Sequence, residues 1–78
     1  MDVKVFPNPV SDQLSITTDA DIQSWTLFNA QGRMVLRGVG AEYMQNAVIQ
    51  VDALPIGMYQ LNVRTSQGST VRQVEVMR

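Results

Sequence analysis

The chain has 78 residues, a formal charge of −1, and neither histidine nor cysteine. That length supports one small domain, which buries only about 60% of its unfolded surface, with no disulfide to reinforce it. Ser-His-Asp and Cys-His catalysis and ordinary zinc sites are excluded with those residue types. The charges are scattered along the chain, so no basic stripe follows a phosphate backbone, and nucleic acid is not an expected partner. No apolar run reaches the roughly 20 residues of a membrane span. Met1 and Asp2 open straight into a strand-like run without a signal-peptide pattern, which predicts either a cytoplasmic protein or a fragment whose targeting segment lies elsewhere.

Hydrophobic period 2 runs through almost the whole chain and predicts strands. Val3 and Val5 alternate with Asp2 and Lys4, and Leu14 and Ile16 alternate with Gln13, Ser15 and Thr17. Trp25–Phe28, Met34–Leu36, Val48–Val51, Tyr59–Val63 and Val71–Val76 complete seven short strands. Pro7-Asn8-Pro9 ends the first strand, because each proline fixes its own φ, lacks a donor and extends its predecessor. Asn29-Ala30-Gln31-Gly32 reads as a hairpin loop with positive φ at Gly32, and Ser66-Gln67-Gly68 as another. Asp19-Ala20-Asp21 is a looser turn, more simply a solvated connection than a calcium or acid–base pair. Residues 38–47 read as a crossing loop with Tyr43 or Met44 tucked beneath it; a helix over Ala41–Ala47 lacks an apolar stripe.

The pattern predicts an all-β fold, an immunoglobulin-like antiparallel β-sandwich of about seven short strands without the antibody cysteine pair. The expected core is Val5, Leu14, Ile16, Trp25, Leu27, Leu36, Ile49, Val51, Leu54, Tyr59, Leu61, Val63, Val74 and Val76. In the last strand Val71 is out of phase with Val74 and Val76, which predicts a bulge near Arg72-Gln73. In Leu54-Pro55-Ile56-Gly57-Met58-Tyr59, Leu54 anchors the loop, Pro55 suits the second position of a β-turn and Gly57 permits positive φ. Tyr59 then opens a strand with a hydroxyl that needs a partner.

The ordered set of Phe6-Pro7-Asn8-Pro9-Val10, Leu14-Ser15-Ile16, Leu27 to Val35, Leu54 to Val63 and Val71 to Val76 resembles the C-terminal sorting domain of cargo proteins of the type IX (Por) secretion system of Bacteroidota. The likeness spans Val3 to Arg78. It implies a single sorting domain over residues 1–78, at the end of a secreted precursor whose cargo lies N-terminal to it. In that family the cargo crosses the inner membrane on its own signal peptide. The sorting domain then directs passage through the outer membrane to the surface or medium, and a surface sortase removes it, commonly attaching the cargo to lipopolysaccharide. Pro7, Asn8 and Pro9 match the first family motif, Gly32 and Arg33 the middle one, and Leu54, Pro55, Gly57 and Tyr59 the late one. Arg72 stands near a frequent lysine, ahead of the final strand with Val74 and Val76.

The resemblance implies no enzyme activity and no cofactor. Its partners are the secretion machinery and the sortase, and edge strands one and seven offer a route to homodimers. The competing readings are an adhesion or carbohydrate-binding module, for which the single tryptophan, Trp25, is expected to be core instead, and an accessory domain of a multidomain secreted enzyme.

Overall fold

A computed structural model describes residues 2–77. Its elements are β1 (Val3–Phe6), β2 (Gln13–Thr18), β3 (Ile22–Phe28), β4 (Met34–Val39), β5 (Asn46–Gln50), β6 (Gly57–Thr65) and β7 (Gly68–Val76). They form a three-stranded sheet in the order β1-β2-β5 and a four-stranded sheet in the order β4-β3-β6-β7. Every paired strand within these sheets is antiparallel. The sequence therefore gives an all-β sandwich, and residues 41–47 form a loop and the start of β5 instead of a helix.

Alternation does the folding. In β6, Tyr59, Leu61 and Val63 are buried, while Met58, Gln60 and Arg64 face out. In β2, Leu14 and Ile16 point inward and register against Ile49 and Ala47 of β5. Each fully buried aliphatic side chain of this kind contributes about 1.5–3 kcal/mol relative to an exposed one. Val3, Val10, Ile22 and Ala47 join this core although they are not in the expected set, whereas Val5, Trp25, Leu36 and Leu54 are only half-buried and pack on its margin.

Other details differ from the sequence reading. β7 pairs with β6 in unbroken register from Gly57↔Val76 to Thr65↔Gly68, with no bulge at Arg72-Gln73. Val71 breaks the apolar phase because it sits on the outer face beside Asn62, half-exposed. The register shifts lie in β3 instead, between Leu27 and Phe28 against β4 and between Ile22 and Ser24 against β6. Tyr43 is not tucked under the long loop but 82% exposed, with φ 65°, and Met44 is also exposed. That loop is fixed by its backbone: Ile22 N–H donates to Met44 O at 2.7 Å and Thr18 N–H to Gln45 O at 3.0 Å.

Antiparallel alternation sorts the connections between the two ends of the sandwich. The β1–β2, β3–β4 and β5–β6 connections lie at one end together with the end of β7. The turns at Asp19–Asp21, 40–45 and Ser66–Gln67 lie at the other, with the start of β1.

Candidate functional site

The segment Pro7-Asn8-Pro9-Val10 does more than end β1. It crosses from the three-stranded sheet to the outer edge of β7 and pairs with it. Val10 N–H donates to Glu75 O at 2.8 Å, and Met77 N–H donates to Val10 O at 2.8 Å, forming a parallel bridge to Val76. One step back along the segment, Asn8 continues the ladder with its side chain. Its Nδ2 donates to Gln73 O at 2.9 Å and its Oδ1 accepts from Glu75 N–H at 3.0 Å. Both X–Pro bonds, Phe6–Pro7 and Asn8–Pro9, are cis, which the sequence does not announce. Val74 and Val76 lie fully buried behind this edge. The valines thus hold the floor of the seam between the sheets, and Asn8 and Val10 close its rim.

Arg72 shares the inward phase of Val74 and Val76. Its guanidinium donates to Thr70 Oγ1 at 2.7 Å, to Val71 O at 3.1 Å and, through Nη2, to Val3 O on β1 at 3.4 Å. A planar fork reaches several acceptors at once, which a compact ammonium does less well. Arg72 is therefore a bridge between the edges of the two sheets.

The middle motif forms the β3–β4 turn. Asn29 organises it, with Oδ1 accepting from Gln31 N–H at 3.0 Å and Arg33 N–H at 2.9 Å. Gly32, at φ 82°, returns its N–H to Asn29 O at 2.9 Å. The Arg33 side chain is exposed. Asn29 was not among the expected site residues. The signal that marks it is an Asx residue three positions before a turn glycine.

The late motif is a strand-entry corner. Tyr59, only 6% exposed, donates its hydroxyl to Pro55 O at 2.6 Å, the arrangement of a tyrosine corner. Leu54 packs on the core, Pro55 is exposed, and Gly57 has φ 154°, a conformation side chains rarely adopt. A shallow open groove of about 570 Å³ runs between Asn29 and Ala30, the Met58–Gln60 stretch, and Val71 and Gln73. Gln73 faces this groove, and its carbonyl holds Asn8. The three motifs are thus brought to one end of the sandwich and joined across the outer face of the four-stranded sheet.

Two remaining features have structural duties. Trp25 leans on the core, with its indole over Gly38, where a Cβ would collide with it. Asp19 Oδ1 accepts from Asp2 N–H at 2.9 Å, and that bond holds its carboxyl below the usual range. Among the described residues no three acidic side chains gather as a cation site would require.

A family model described as "Secretion system C-terminal sorting domain" matches residues 4–77. The chain belongs to this family of type IX secretion sorting domains. Membership implies association with the type IX machinery, a cargo preceding the domain, and delivery through the outer membrane to the surface or beyond. No curated protein sequence matches the chain. Among solved structures it resembles CopC from Methylosinus trichosporium OB3b at TM-score 0.58 and 13% identity, over 96% of this chain and 91% of that one. At that identity the likeness is one of fold.

Proposed function

We propose that this sorting domain is recognised by the secretion machinery through the end of the sandwich that carries Pro7-Asn8-Pro9, Gly32-Arg33 and Leu54 to Tyr59, and that a surface sortase then removes it from its cargo. The observation that carries the reading is the sorting of connections: all three motifs share the end opposite the start of β1. A cargo entering at Val3 leaves that end free for a partner. The role is one of shape and surface, with no catalytic step and no cofactor, and the domain acts as a single unit over residues 1–78. Within it, the Asn8, Asn29 and Tyr59 hydrogen bonds fix the surface, and exposed Arg33 and the apolar Met58 and Val71 rims are what a partner meets.

The test is a fusion of this domain behind a periplasm-targeted fluorescent protein in a host with the type IX system. The expected result is fluorescence on the surface or in the medium, with the domain lost from the exported protein. Retention in the periplasm of an intact, folded fusion overturns the reading. Arg33→Glu, at an exposed position, is expected to lower export while leaving thermal unfolding unchanged.

A further inference from the structure

We propose that Asn8 is a side-chain stand-in for a strand residue, placed to close the outer edge of β7 against a second copy of this chain. β7 is the outermost strand of its sheet and, at nine residues, one of the two longest strands. Its outward N–H and C=O groups form a template on which another strand can pair. Main-chain cover on a parallel ladder uses alternate residues, here 8 and 10, and the prolines at 7 and 9 fall between them. Val10 supplies one such residue, bonded to Glu75 O and Met77 N.

The preceding rung needs a donor to Gln73 O and an acceptor for Glu75 N–H. The primary amide of Asn8 supplies both, at 2.9 and 3.0 Å, in the same sense as a parallel-strand peptide would. Further along, Arg72 binds the Val71 carbonyl and ties the edge to Val3 of β1. An inward-phase charge on an edge strand is a recognised obstacle to strand addition. Asn8, Val10 and Arg72 together therefore occupy the acceptors of Val71, Gln73 and Glu75 and the donors of Glu75 and Met77.

The occupant kept out is a second β7. Two copies of the same edge pair antiparallel about a two-fold axis, with each strand serving as the other's template. This inference does not depend on the export reading, since it concerns the isolated domain in solution.

The experiment compares wild type with Asn8→Ala by sedimentation velocity and amide hydrogen exchange, with circular dichroism to establish folding. Wild type is expected to sediment as a monomer. Folded Asn8→Ala is expected to associate at the same concentration, and in dilute monomer its Glu75 amide should exchange about fivefold faster or more. Asn8→Asp keeps the acceptor, loses the donor, and should fall between them; it replaces Asn8→Ala if that variant does not fold. Adding Gln73→Pro, which blocks the edge of β7, should return Asn8→Ala to monomer. A folded Asn8 variant that stays monomeric overturns the proposal. So does a wild type that already pairs through β7, or association that survives Gln73→Pro.

Discussion

The motif loops at one end of the sandwich and the long 40–45 connection at the other are held in different ways. At the motif end, side chains bond to backbone: Asn8 to β7, Asn29 to the β3–β4 turn, and Tyr59 to Pro55 O. At the opposite end the long 40–45 connection is held chiefly by main-chain bonds, from Gly40 to Gln23 O, Ile22 to Met44 O and Thr18 to Gln45 O. Backbone bonds are largely indifferent to residue identity, whereas side-chain bonds are not. The motif loops therefore carry a readable sequence signature, and the 40–45 connection tolerates an exposed tyrosine in a left-handed conformation.

The sharpest break in that contrast is Gly40. A Cβ there would collide with the Ile22 carbonyl oxygen, a backbone atom that no side-chain rotation can move aside. Gly40→Val is expected to cost about 3 kcal/mol in denaturant unfolding, the upper range of overpacking, so the supposedly tolerant connection has one position that is not. Gly57→Val, at φ 154° with open space around it, should cost about 2 kcal/mol from backbone strain alone. A melting temperature equal to wild type would refute that account of the corner. Tyr59→Phe removes the hydroxyl from Pro55 O while keeping the ring, and a loss of about 1–1.5 kcal/mol is expected in the same assay. In the tolerant connection, Tyr43→Gly should be neutral to slightly stabilising, within about 1 kcal/mol, because glycine adopts positive φ without penalty. If Tyr43→Gly proved as damaging as Tyr59→Phe, the contrast between the two regions would collapse.

Much of the architecture is legible in the sequence because period 2 is strong in β2 and β6, and Gly32 and Gly68 mark their turns through positive φ. The shared end of the three motifs is also implicit there, since odd-numbered connections of an antiparallel chain fall together once all seven strands are counted. The failures have particular causes. Val71 looked like core out of register but is surface apolar beside a groove. Val10 follows Pro9 outside every expected strand and core position, yet its main chain completes another strand's ladder and the residue is 1% exposed. Arg72 looked like a charge on a strand, while its reach to Val3 depends on which strands flank the seam. The last two concern contacts between residues far apart in the chain, which local pattern does not encode.

The seam between Asn8 and β7 spans sequence separations of 65 and 67 residues, nearly the whole chain. Such closure comes late in folding, because its loop entropy must be overcome before the contact rewards it. Residues 73–77 also leave a ribosome after everything they pair with. The clasp therefore depends on β7: a chain interrupted before Gln73 keeps the residues of β1 to β6 but gives Asn8 and Val10 none of the partners they hold here.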